Sequence, residues 1–186
     1  MIYSIGHSGH SMEKFIGMLR THGITCLADV RSVPYSKRIP QFNRELLKID
    51  LKDAVIDYVY LGNKLGGRYS DPGLLFDNKQ VDFEKVRETG LFIEGLDELI
   101  GLARGNAGVV FMCAEKDPFN CHRFALVSRA LSLRGVEVRH IREDGTYVLN
   151  EELDEELHEP DPSSEAIILT VFLPLSQSFP RFRPDS

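Results

Sequence analysis

The chain has 186 residues, 42% of them hydrophobic, and 22 Lys and Arg against 28 Asp and Glu, for a formal net charge of -6. That length supports one substantial core without requiring two domains, and no apolar run reaches the ~18 residues of a membrane span. No basic N-terminal segment leads into a long apolar signal core, and three cysteines do not suggest a disulfide framework. The expectation is a soluble, cytoplasmic protein with free thiols in a reducing compartment. Charge is unevenly placed, because residues 143–165 hold ten acids and no Lys or Arg. Residues 1–142 then carry 20 bases and 17 acids, about +3 by formal count, so an anionic ligand is not excluded.

Residues 2–5 read as a short apolar strand, and His7-Ser8-Gly9-His10 as the loop after it. Ser11 is suited to cap a helix with Phe15, Met18, Leu19 and His22 on one face and Gly23 as its left-handed stop. Residues 24–30 form a second strand, and this order predicts a right-handed crossover between parallel neighbours. Residues 42–56 show a mixed helical pattern, and residues 58–61 a third strand that runs into Leu61-Gly62-Asn63-Lys64-Leu65-Gly66-Gly67-Arg68. Residues 71–82 are rich in turn formers and read as a surface excursion.

Residues 91–103 carry a helical stripe of Phe92, Leu96, Leu99 and Ala103, and residues 109–112 an apolar run typical of a buried strand. Asp117 and Pro118 make the turn after it, Asn120 caps a helix predicted over 120–134 with Gly135 as its stop, and 136–141 is a further strand. Residues 166–173 fit a last edge strand, antiparallel to the rest. The expected architecture is a three-layer, Rossmann-like α/β domain over residues 1–175, with a mostly parallel sheet and helices on both faces. Residues 176–186 read as an extended tail, docked through Phe179 and Phe182.

In such a fold four segments reach one carboxyl edge of the sheet, where open parallel sheets bind ligands. They are His7-Ser8, Asp29-Val30-Arg31-Ser32, residues 62–68, and residues 113–123 with Cys113, Glu115, Cys121, His122 and Arg123. A helix beginning at Asn120 would set Cys121, His122 and Arg123 in its first turn, where free N–H groups favour an anion and shift a thiol toward thiolate. The alternative for Cys121 is a small, inert packing residue. Arg123 at a helix N-terminus runs against the dipole, so it is expected to face a ligand or a carboxylate.

Gly66-Gly67-Arg68 suits a backbone cradle with an attached guanidinium, or an ordinary turn. Asp29 and Glu115 are candidate bases, nucleophiles or metal ligands, with a buried ion pair to Arg31 or His7 as the alternative for Asp29. His7 is expected to expose its imidazole for acid, base or ligand work. His10 reads as a surface residue or helix lead-in, His22 as a satisfied core residue, and His140 as a structural residue at a strand end.

Sharper templates fail. A cysteine phosphatase needs Arg six residues after its Cys, but Phe119 and Val127 occupy those positions after Cys113 and Cys121. No Cys-x-x-Cys pair, Walker loop or complete Gly-x-Gly-x-x-Gly is present, so no metal or cofactor is assigned. Cys113, Cys121 and a histidine still allow an irregular metal site.

At these residues the chain resembles the domain of unknown function 488 family. The matching pieces are Ile5-Gly6-His7-Ser8, Asp29-Val30-Arg31-Ser32-Val33-Pro34, Leu61-Gly62, Leu65-Gly66-Gly67-Arg68, Cys113-Ala114-Glu115, Cys121-His122-Arg123, His140-Ile141 and Asp144-Gly145. The resemblance implies an α/β domain with a shared polar site and names no substrate or activity. The leading expectation is a hydrolase or group transferase acting on a phosphorylated, nucleotide-like or nucleic-acid-end substrate. Arg31, Arg68 and Arg123 would hold the anion beside Ser8, Ser32, Gly66 and Gly67, with Glu115 or Asp29 as base or nucleophile. His7 or His122 would move protons, and Cys113 or Cys121 as nucleophile is a secondary version. The competing readings are a non-catalytic nucleotide or nucleic-acid binding module and a Cys, His and acid metal site.

Overall fold

The computed structural model describes residues 1–158. The strand expected over 166–173 and the tail over 176–186 lie outside the described residues. Six strands form one mixed, mostly parallel sheet: β1 (Ile2–Gly6), β2 (Cys26–Asp29), β3 (Asp57–Tyr60), β4 (Val109–Cys113), β5 (Val138–Ile141) and β6 (Tyr147–Leu149). Their order is β3-β2-β4-β1-β5-β6, and only β6 runs antiparallel, against β5. The expectation that the first two strands are neighbours is corrected. β4 lies between β1 and β2 and pairs parallel with both.

Helices cover both faces, as a sheet buried on both sides requires. On one face α1 (Met12–Thr21) and α2 (Arg44–Asp53) pack Phe15, Leu19, Leu47 and Leu51 against Tyr3, Ile5, Leu27, Val110 and Met112. On the other, α4 (Phe83–Glu88), α5 (Gly90–Gly105) and the helix after β4 pack Val86, Phe92, Leu96, Leu126 and Leu131 against Ile2, Ala28, Val109 and Phe111. The alternation of strand residues between these two sets is the two-residue period of a pleated sheet. A short α3 (Gly62–Leu65) follows β3, and α7 (Asn150–His158) follows β6.

Local chemistry sets the element ends. Ser11 accepts the Lys14 N–H at the start of α1, Asp82 accepts from Glu84 and Lys85 at α4, and Thr89 accepts from Phe92 at α5. The pattern over 42–56 resolves into a 3-10 turn at Pro40–Phe42 and then α2, because Asn43 adopts an extended backbone between them. β6 had no strand signal of its own and is built by a hairpin. Gly145 takes a positive φ of 85°, and Asp144 Oδ1 accepts the Thr146 N–H and O–H, which reverses the chain onto β5.

The helix predicted over 120–134 is also corrected. Pro118–Asn120 forms a 3-10 turn capped by Asp117, and Cys121 is extended, with φ -134 and ψ 138. Arg123–Ser128 is then a π-helical turn that passes into α6 (Arg129–Leu133). Such wide turns are rare and often accompany functional sites. Phe111 is fully buried at the centre of β4. Phe111→Ala is expected to lower unfolding free energy by about 3–5 kcal/mol, measured by urea titration.

Candidate functional site

Two buried polar clusters form at the carboxyl edge, one on each face of the sheet. The first begins at β2. Asp29 Oδ1 accepts the Arg31 backbone N–H at 3.1 Å and Nε–H at 2.9 Å, while Oδ2 accepts Arg31 Nη2–H at 2.6 Å and the Tyr58 hydroxyl at 2.8 Å. Arg31 donates its remaining Nη1–H to His7 Nε2 at 3.2 Å, and His7 Nδ1–H donates to the Ser8 carbonyl at 2.8 Å. The His7 ring also stacks on Phe42 at 4.3 Å.

The ion-pair alternative for Asp29 is therefore the one that forms, and the exposed imidazole expected for His7 is corrected. Both His7 nitrogens have partners, and the ring is 2% exposed. Burial, with help from Arg31, lowers the His7 pKa to about 4, while burial and the charge of Asp29 push Tyr58 far up. The guanidinium of Arg31 is engaged inside this network through Nε, Nη1 and Nη2. Breaking the pair would strand a buried charge, so the cluster holds the β2 end rigid.

The second cluster joins β4 to the loop before the π-helical turn. His122 Nε2–H donates to the Val30 carbonyl at 3.1 Å, which leaves Nδ1 turned to the thiols. That nitrogen faces Cys113 Sγ at 3.6 Å and Cys121 Sγ at 3.9 Å. The three side-chain donor atoms all lie within 4.8 Å of one another, and all three residues are buried. Cys121 Sγ also accepts the Arg123 backbone N–H at 3.4 Å.

Burial opposes charge on Cys121, but its contacts with Cys113 and His122 and the charge of Arg123 outweigh it and hold the thiol well below its ordinary pKa. Cys113 moves the opposite way, raised by its hydrogen bond to Cys121 and by burial. The two thiols are thus driven apart, and Cys121 is the one favoured as thiolate.

Arg123 is 1% exposed and serves the frame. Its Nη1–H donates to the Glu115 carbonyl and its Nη2–H to the Lys116 carbonyl at 2.9 Å, closing the loop between the cysteines. The expectation that it faces a ligand or carboxylate is corrected, since these partners are main-chain carbonyls. Its Nε is buried with no hydrogen-bond partner among the described residues. A Cβ on Gly6 would lie 1.8 Å from the Glu115 oxygen, which explains glycine at the end of β1.

The Gly66-Gly67-Arg68 segment covers the second cluster. A Cβ on Gly67 would meet His122 Cγ at 2.7 Å, and one on Gly66 would meet Ser32 Oγ at 2.3 Å, so the backbone lies directly on both side chains. Ser32 Oγ accepts the Arg68 N–H at 3.1 Å, and the Arg68 residue is exposed. Ser8, with a φ of 47°, and the exposed Glu115 stand at the ends of neighbouring strands β1 and β4.

His140 and His22 have partners as well. His140 lies between Ser4 Oγ at 2.6 Å and Asn150 Oδ1 at 3.1 Å, and His22 Nε2–H donates to the Gly145 carbonyl at 2.8 Å. Of the two expectations for His10, the surface role is corrected, since it is 8% exposed, while it does lead into the Ser11 cap of α1. Partners unforeseen in the sequence are Tyr58, Phe42 and the Val30 carbonyl. An aromatic two residues before Tyr60 on one strand face was the only available signal for Tyr58, and none exists for a carbonyl.

The fold and site define an α/β domain with a buried thiol and imidazole cluster at the carboxyl edge of its sheet. The family described as Domain of unknown function DUF488 matches residues 11–130, and the chain belongs to this family. The matched span includes Asp29, Arg31, residues 66–68, Cys113, Cys121, His122 and Arg123, but not His7 or His140. No curated protein and no solved structure matches the chain. Among the described residues no helix is long and apolar enough to cross a membrane.

The two suppressed histidines make stability depend on pH. His7 and His140 both fall from 6.5 to about 4, chiefly through burial, so the unfolded chain binds protons that the folded chain rejects. Their stabilisation is complete above 6.5 and is lost as pH falls toward 4. His140→Gln is expected to flatten the rise of unfolding free energy with pH near pH 5 by up to about 1.4 kcal/mol per pH unit, read from urea midpoints.

Proposed function

We propose that Cys113, Cys121 and His122 bind a thiophilic divalent cation of the zinc class, and that the protein is a hydrolase or group transferase working at its open fourth position. The observation that carries this reading is the spacing of the donors. Zinc holds sulfur at about 2.3 Å and imidazole nitrogen at about 2.0–2.1 Å, so a tetrahedral site has S···N edges of about 3.6 Å. The two edges here are 3.6 and 3.9 Å. His122 already has the tautomer a ligand needs, because its other nitrogen donates to a carbonyl, as metal-bound histidines ordinarily do.

Three protein ligands rather than four is the pattern of a catalytic site. A cation there supplies a Lewis acid with room for one further ligand. Around it, Arg68 is the one of the three candidate arginines with an exposed residue, and it receives the anionic part of a substrate next to Ser32. Glu115 takes the role of base on the loop between the two thiols. Asp29 and His7 hold Arg31 and act through the frame.

Metal analysis of protein purified without added metal, followed by competition with a chromogenic chelator, tests the reading. About one equivalent of zinc per chain is expected. Cys113→Ser, Cys121→Ser and Gly67→Ala are expected to weaken binding at least tenfold, the last by displacing the His122 ring. Cys26→Ser is expected to leave it unchanged. Folded protein that neither carries nor takes up zinc, cobalt or cadmium overturns the assignment.

A further inference from the structure

The same two thiols have a chemistry that needs no cation. All three cysteines are free, and Cys113 and Cys121 Sγ lie within 4.8 Å of one another. Cys26 stands level with Val109 on β4, four residues and about 13 Å of strand from Cys113, so it does not compete for either. Cys113 ends a rigid strand paired on both sides, whereas Cys121 sits in an extended link between a 3-10 turn and the π-helical turn. That link belongs to no helix, so a small rotation carries its sulfur toward Cys113 without unwinding a helical turn. Cys113 is 6% exposed and Cys121 2%.

We infer that Cys113 and Cys121 are a redox-active pair that hydrogen peroxide converts to a disulfide, a modification that shuts the site. Cys121 Sγ, which accepts the Arg123 N–H, attacks one peroxide oxygen. The O–O bond breaks, the other oxygen leaves as water after taking a proton, and Cys121 becomes a sulfenic acid. Cys113 Sγ then attacks that sulfur, the S–S bond forms, and the sulfenic oxygen leaves as a second water. Two thiols are oxidised and one peroxide is reduced. The consequence for the site rests on the reading of the preceding subsection, because the disulfide removes two of its three donors. The disulfide itself does not depend on that reading.

Lys116 separates the two cysteines, so trypsin places them on different peptides, 105–116 and 117–123. Metal-free, reduced wild-type protein treated with stoichiometric hydrogen peroxide is expected to lose two hydrogens in intact mass and to yield these peptides as one linked species. Dithiothreitol is expected to separate them. The linked species is expected to persist in Cys26→Ser and to be absent from Cys121→Ser. Because the central measurement uses wild-type protein, it stands even if the Cys121 variant fails to fold. Sulfinic or sulfonic acid on either cysteine without linkage, linkage to Cys26, or unmodified thiols would each overturn the inference. Zinc binding without linkage sinks this inference alone, and linkage without zinc binding sinks only the metal assignment.

Discussion

Because β4 is hydrogen-bonded to β1 on one side and β2 on the other, the peptides just beyond its end must find partners in the loops that leave both neighbours. They do so in sequence, with the His7 N–H on the Cys113 carbonyl, the Ser8 N–H on the Ala114 carbonyl and the Val30 N–H on the Met112 carbonyl. Buried backbone groups tolerate few unpaired neighbours, so these bonds fix the heights of three loops against each other. The Val30 carbonyl then points at His122, and Cys113 sits beside the same ring. Placing β4 at the edge of the sheet would separate these groups even if every residue stayed the same.

Two arginines buried near this edge resolve their charges differently, and the difference divides frame from site. Arg31 meets a carboxylate in a bidentate pair and also reaches His7, which ties the Asp29 cluster together. Arg123 rests on two carbonyls, and its Nε is left without a partner. A buried cation held only by neutral acceptors favours a nearby anion. The charge of Arg123 is one of the causes that hold the Cys121 thiol well below its ordinary pKa, on the sulfur that can bind or react.

Much of the scaffold was legible because its signals are local. The apolar run at 109–112, the Ser11 cap and the stripe of Phe92, Leu96 and Leu99 each follow from residues a few positions apart. The insertion of β4 between β1 and β2 was not, since strand order is set by contacts between residues 83 and 107 positions apart. The grouping of Cys113, Cys121 and His122 was legible from their nearness in sequence. Its geometry was not, because the expected cap at Asn120 lost to Asp117, which caps a 3-10 turn started by Pro118 and leaves Cys121 extended. The roles of Arg31 and His7 were misread for a related reason. Charged residues at strand ends look like ligand contacts until a partner such as Tyr58 or Phe42, remote in sequence, completes them internally.

The extended Cys121 has the larger functional effect of these departures. In the first turn of a helix its sulfur would lie over free N–H groups and the site would read as an anion hole. Extended, the sulfur keeps one such bond, from Arg123, and turns the rest of its surface toward Cys113 and His122. The π-helical turn that follows is the structural complement of this arrangement. It seats Arg123 beneath the Glu115 and Lys116 carbonyls while Ser128 Oγ–H donates to the Arg123 carbonyl at 2.7 Å, so the chain leaves the site already tied at both ends. A regular helix beginning at Asn120 would satisfy more backbone bonds locally and lose the thiol and imidazole cluster. The structure gives up that regularity where it places the chemistry, as strained or irregular backbone at functional sites commonly does.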